Sequence, residues 1–423
     1  MMACSSSESG TLQLVTGEET DTFSRPPAPA KLEVDSVDSS GKKETLATAS
    51  LPTSSVDLGS FPQSAVGTLQ VVGSDAAGNR LVYGQSVPIQ FGALNGAIVP
   101  VFVQRTGELA RMPKPLSDAR AAPTLALLGG RYLFVGAGAD PALSRSAQLY
   151  DFAFLAPLGA PRTLPRAPKS VVFVGAVGWL IDDAGATSVD FSQGTEADVT
   201  APAGGSFGDV AGGATVVAGD GSQFVVGATR TTGGPTKAVL SVDPAGKASW
   251  ATLTESRLGA SAAWVEGRGL VVAGGSDHAA GVEILSPGTL AGAPLSYPPD
   301  ASTGSGAAAL DGQHVLLAGG AMPTGQDAGV RAIDLACSMQ CAPTSWASLP
   351  GPLAPAQLFA SDSADALLVG DDPSGATRVF RLSAAAIAAV VTKVPHVGAR
   401  AIVSPLGSVV LFGGATEIES FVP

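Results

Sequence analysis

Any chemistry in this chain must come from a small set of side chains. Histidine occurs three times (His278, His314, His396), cysteine three times (Cys4, Cys337, Cys341) and tyrosine four times in 423 residues. The other candidates are acids and arginines beside turn-forming residues. They are Asp140, the pairs Asp182-Asp183 and Asp371-Asp372, Asp277 next to His278, and Arg230, Arg257 and Arg400. Adjacent residues of an extended chain point to opposite faces, so neither aspartate pair forms a ready acid–base dyad. No G-x-S-x-G nucleophile elbow flanks a strand-to-helix turn, because the sequence offers no helix to speak of. A Ser-His-Asp set assembled in three dimensions stays open. The expectation is no identifiable catalytic set and no cofactor.

Cys337 and Cys341 are separated by three residues. The favoured reading is a small disulfide loop, suited to an oxidising compartment. A zinc site would need two further ligands, and none of the histidines has a partner at ligand spacing. Free thiols are the remaining alternative. No metal is expected.

The bulk composition limits partners. A net charge of −12 argues against a nucleic-acid binder, which needs a basic stripe, and does nothing for adhesion to an anionic membrane. The longest apolar run, Ala384 to Val391, is far short of the roughly 20 residues that span a bilayer. Only 14% of residues are charged against 45% hydrophobic, with 53 Gly and 31 Pro, a composition that suits many short strands and turns rather than disorder.

The elements that must position the candidates are legible as a repeat. Its clearest copy, from Arg257, reads RLGASAAWVEGRGLVVAGGSDHAAGVEILSP. Anchored at the end of each second strand, seven copies are marked by Gly136, Asp182, Gly227, Gly274, Gly319, Gly370 and Gly413, which lie 43 to 51 residues apart. Periods of this length belong to propellers of four-stranded blades. The expected fold class is all-β, a seven-bladed propeller over 105–423 preceded by a small β-sandwich.

The repeat resembles the kelch family of β-propellers. The carrying residues are the pairs Gly274-Gly275, Gly319-Gly320 and Gly413-Gly414, together with Tyr150 in the third strand and Trp250 and Trp346 in the fourth. Arg120, Arg257 and Arg400 stand where the family often has an Arg before strand one. The resemblance implies aromatics that pack between blades. Some kelch-like propellers are copper radical oxidases with a Tyr–Cys cross-link and two His ligands. The scattered histidines here reject that class, and no sialidase-type Asp-box occurs. The last copy lacks a fourth strand, and Gly107 to Met112 is expected to supply it by pairing beside Ile418 to Val422.

Residues 31–104 read as a small all-β domain, and TLQVVGSDAAGNRLV resembles bacterial immunoglobulin-like domains at an Asp-x-x-Gly-Asn turn. Residues 1–30 read as a tether in which Leu12 to Val15 could pair as an edge strand. The start, MMACSSSESG, resembles the end of a bacterial lipoprotein signal with Cys4 as the lipidated residue, although the apolar core of such a signal is missing.

In a four-stranded meander the loops after strands two and four open on one face. That face collects Asp140, Asp182, Asp183, Arg230, Arg257, Asp277, His278, Asp371, Asp372 and Arg400 around a central mouth, suited to a glycan, a peptide or a cation. The expected function is an exported or surface-anchored binding or scaffolding propeller, monomeric, with an unknown protein or glycan ligand, no nucleic acid, and membrane contact only through a lipid on Cys4. The alternatives are a propeller enzyme acting on an extracellular glycan and a structural spacer.

Overall fold

The computed structural model describes residues 10–59, 66–94, 96–227, 234–278, 280–326, 328–361 and 364–423. Seven four-stranded antiparallel sheets follow one another along the chain. Blade one is built from Thr124–Leu128, Tyr132–Gly136, Ser146–Asp151 and Ala156–Thr163. Blades two to six occupy 170–199, 214–257, 261–294, 306–345 and 356–390. Blade seven takes Arg400–Val403, Val409–Phe412 and Glu419–Phe421, and its fourth strand is Leu109–Arg111 from before blade one. Phe421 pairs with Leu109, and Glu419 with Arg111. Flanking bonds from Gly107 N to the Val422 carbonyl (2.7 Å) and Met112 N to the Ile418 carbonyl (2.8 Å) lengthen the seam. Both ends of the propeller thus share one sheet, which leaves no open first or last blade.

Blades pack face to face through apolar clusters, one at each of the seven blade interfaces among the described residues. Tyr150, Phe152 and Phe412 meet edge to face between blades one and seven. Trp250 wedges between blades two and three against Phe207, and its indole N–H donates to the Pro202 carbonyl at 2.9 Å. The aromatics therefore fill the widening gaps between sheets.

The glycine pairs answer a backbone requirement. Gly274 and Gly275 have φ of +75° and +72°. A methyl on Gly275 would lie 2.6 Å from the Leu258 carbonyl oxygen, so the position needs both the left-handed conformation and the missing Cβ. Strand register corrects two of the repeat anchors by one residue. Gly274 follows Ala273, which pairs with Ser261, and the equivalent residues in blades one and six are Ala137 and Asp371 rather than Gly136 and Gly370. Ala137 adopts φ +54° at this turn. In blades two and six the ladder runs one residue further, pairing Asp182 with Gly185 and Asp371 with Thr377, so an aspartate replaces the glycine.

The N-terminal region departs from expectation in two ways. Its strands form a single eight-stranded sheet on the path Lys43–Ala49, Lys31–Asp38, Val66–Ser74, Arg80–Gln85, Ile98–Arg105, Thr11–Val15, Ser55–Asp57, with Ile89–Gln90 pairing off this path beside Val66–Ser74. The sheet rolls nearly into a barrel around Leu12, Leu32, Leu69, Val82 and Val103, and two separate sandwich layers are not evident in it. Nor is the stretch from residue 10 a free tether. Thr11–Val15 is an interior strand, parallel to Ile98–Arg105 on one side and antiparallel to Ser55–Asp57 on the other. The chain after it is held by Arg105, which donates to the carbonyls of Thr22, Arg25 and Pro27. Two buried leucines explain why this segment is held: Leu12 and Leu14 complete the barrel core.

The Asp-x-x-Gly turn at Asp75 is not peculiar to this sheet. Asp38, Asp75, Asp243 and Asp372 each accept backbone N–H groups two and four residues on, at 2.8–3.2 Å. Each turn places Gly41, Gly78, Gly246 or Gly375 at φ between +83° and +88°. It is one three-residue hairpin loop used in both regions, so it carries no family information.

Candidate functional site

The loops after strands two and four emerge on one face of the ring. Their charged groups are largely paired within or between adjacent blades. Arg166 reaches Asp182 at 2.6 Å and donates through Nε to Thr187 Oγ1 at 2.7 Å. Lys169 holds Asp183 at 2.6 Å. Arg400 binds Asp371 at 2.8 Å across the interface of blades six and seven, and Thr377 adds a second donor to Asp371. Arg378 binds Asp372 at 2.8 Å. The Ser374 hydroxyl, then Arg378, hold the Asp372 carboxyl down at about 2.

Three expected face residues stay open. Asp277 and His278 are 78% and 77% exposed, 3.4 Å apart, on the loop after strand two of blade four. Asp140 is exposed and caps its own turn through Ala142 N. Arg230 and Cys4 lie outside the described residues. Among the described residues no group of three or more His, Cys, Asp or Glu side chains is placed to hold a metal ion. Ser206, in the G-x-S-x-G string Gly204–Gly208, caps a single turn of 3-10 helix by accepting from Gly208 N at 3.3 Å.

Arg257 is not a ligand-face residue. Its side chain is wholly buried and donates to the carbonyls of Gly274 (2.8 Å), Ala280 (2.7 Å) and Gly281 (3.3 Å), tying down the loop after strand two. Glu283, equally buried, stands 3.7 Å away and accepts from Thr254 N and Oγ1. Burial pulls the guanidinium below its ordinary value, and Glu283 pushes it back up.

Register shows this latch to be a repeated device. Its loop position lies four residues before strand one and holds Arg120, Arg166, Arg257 and His396 in blades one, two, four and seven. The facing position on strand three holds Gln148, Thr187, Glu283 and Glu419. Blade five inverts the polarity: Ser302 takes the loop position and Arg331 the strand, bonded to Ser302 Oγ (2.7 Å) and Asp300 (2.6 Å). Blades three and six substitute apolar pairs, Val210 with Leu240 and Pro352 with Val379. Arg400 is therefore not the counterpart of Arg120 and Arg257. It opens strand one of blade seven, and His396 holds the latch position. The signal was present in the strings Arg257-Leu258-Gly259 and His396-Val397-Gly398, whose glycines both have φ above +60°.

Cys337 and Cys341 form a disulfide within the loop between strands three and four of blade five, on the opposite face of the ring. Met339, at its tip, is 81% exposed.

No protein-family model matches the chain, and no curated protein does. Among solved structures it is similar to a chain of the Mitotic Checkpoint Complex, at 12% identity over 75% of this chain and 91% of that one, with a TM-score of 0.44. It is similar to a computationally designed protein at 13% identity, covering 74% of this chain and 100% of that one, with a TM-score of 0.45. A quinonprotein alcohol dehydrogenase-like protein from Bacteroides thetaiotaomicron shares 10% identity over 88% of this chain and 91% of that one, with a TM-score of 0.42. At these values the likenesses carry no functional argument. The chain is a seven-bladed β-propeller on its own strand topology.

Proposed function

We propose that the protein is an extracytoplasmic binding or scaffolding propeller of bacterial, kelch-like type, carried by an N-terminal domain of immunoglobulin-like role and anchored through a lipid on Cys4. The observation that carries the binding role is the state of the charged mouth. Asp182, Asp183, Asp371 and Asp372 are each engaged by a basic partner, whereas Asp277 and His278 project into solvent from the blade-four loop. Fixed, paired charges with one open acid–imidazole edge suit recognition of a polar polymer, a glycan or a polypeptide. The Cys337–Cys341 disulfide supports an oxidising location.

Two experiments test this reading. Immobilised protein is presented with a panel of bacterial surface polysaccharides and extracellular polypeptides, and an Asp277→Ala/His278→Ala double variant is run in parallel. Binding weakened tenfold or more in the variant is expected. Equal binding of every captured polymer by parent and variant removes the mouth from the reading. Separately, the N-terminal peptide is taken from native membranes after expression with the upstream region intact. An acylated Cys4 is expected, and an unmodified terminus in a soluble fraction overturns the anchor.

A further inference from the structure

Among the described residues, blade seven carries the version of the buried latch built on a histidine. His396 and Glu419 are both fully buried, with Nε2 and Oε1 3.4 Å apart. The other ring nitrogen, Nδ1, lies 2.7 Å from the Gly413 carbonyl oxygen. A carbonyl can only accept, so Nδ1 carries a hydrogen. An unprotonated Nε2 would then turn its lone pair towards a carboxylate oxygen, in a site where neither Nε2 nor Glu419 Oε2 has another hydrogen-bond partner. A proton between them removes the conflict. In blade four the same position holds an arginine, which keeps its charge at every physiological pH.

The latch sits on the seam between blades six and seven. The His396 backbone carbonyl accepts from Thr377 N of blade six at 3.0 Å, while its side chain reaches into blade seven, so one residue ties the two sheets. At the opposite end of this interface the sheets part around a cleft of about 190 Å³ lined by Phe359, Leu367, Val403, Val409 and Phe421. Val403, in its wall, is half exposed. Blade seven is also the sheet whose fourth strand comes from the other end of the propeller, so its integrity decides whether the ring is closed.

We propose that the interface of blades six and seven is a proton-controlled seam: protonated His396 against Glu419 holds the closing blade shut, and loss of that proton loosens blade seven from blade six. Other charges packed nearby are already matched. Arg111, opposite Glu419 on the closing strand, is held by Glu19, Arg400 by Asp371, Lys393 by Glu108, and Arg120 of blade one by Asp118. Glu417 adds to the negative field on the imidazole. Burial opposes the charged ring, but Glu419, the Gly413 carbonyl and Glu417 together raise His396 above its ordinary value. An open seam returns the ring to about 6.5. The closed state therefore binds the extra proton, and closure is lost only as pH climbs from about 6.5 through the raised native value.

Amide exchange tests this without knowledge of any ligand. The protection of Val409–Phe412 in blade seven is divided by that of His314–Ala318 in blade five, from about pH 6 to about pH 9. In the parent this ratio should hold steady up to about pH 6.5 and then fall by up to tenfold per pH unit until the native titration is complete. His396→Arg should keep the ratio high and flat. His396→Gln should give a low, flat ratio, and it decides the matter if the arginine variant does not fold. A flat ratio in the parent, or a glutamine variant that falls as the parent does, overturns the seam.

Discussion

Arg257 and Glu283 lie 3.7 Å apart with no solvent contact on either side chain; loop carbonyls hold Arg257, and Thr254 N on the outer strand of blade three donates to Glu283. Their cost in desolvation is offset by these bonds, so the pair fixes loop geometry more than it adds stability. Removing one member leaves a buried charge without its partner. Arg257→Met and Glu283→Leu should each lower unfolding free energy by about 3–5 kcal/mol, whereas the double replacement should cost less than either alone. Urea melts of the three variants check this. Equal, additive losses would show that the two groups are not coupled.

The glycine turn makes a sharper steric demand. Gly275→Ala places a methyl 2.6 Å from one backbone oxygen and 3.0 Å from the backbone nitrogen of the same residue, Leu258, at a φ of +72°. A loss of more than about 2 kcal/mol is expected from strain and overlap combined. Gly41→Ala, at φ +83° but with nothing within 4 Å, should show only the conformational part, about 1 kcal/mol. Thermal melts separate the two.

The Cys337–Cys341 bond closes a very short loop. In the chain-entropy picture its removal should cost about 2 kcal/mol. Cys337→Ser/Cys341→Ser should melt lower by that amount in non-reducing buffer and match the parent after reduction. Intact mass under non-reducing conditions should sit two hydrogens below the reduced mass.

Asp372 should remain ionised down to about pH 2, held chiefly by the Ser374 hydroxyl and then by Arg378. Its depressed value means that it supports the folded turn above the ordinary carboxyl range, and that this support fades as pH drops from about 4 through about 2. Carboxyl-carbon NMR should show its midpoint there, and Ser374→Ala should move it up. An unmoved midpoint in that variant would assign the effect to Arg378.

Ring closure predicts cooperativity between distant chain segments. Truncation after Gly414 removes Glu419–Phe421 and leaves Leu109–Arg111 without a partner. The shortened protein should melt well below the parent, and an unchanged melting temperature would mean that the shared blade contributes nothing.

Periodicity made the blades legible. Apolar runs ending in glycine recur at propeller spacing because each sheet must bury both faces against its neighbours and turn sharply near the hub. The same reading went astray by one residue at Gly136 and Gly370, where Ala137 and Asp371 hold the turn, because register depends on partner strands and not on the glycine itself. It makes Leu12 to Val15 an edge strand at most, because a lone short run gives no hint that two distant strands flank it.

The amino-acid sequence by itself determined the blade count, the blade period and the spacing of the two cysteines, since all of these are local. Only the tertiary structure decided that Arg257 is a buried latch, that His396 shares its position, and that Asp371 belongs to Arg400. Those relationships join loops to strands of the same or the next blade, and they exist only once register and ring closure bring residues 17 to 29 positions apart within hydrogen-bond reach.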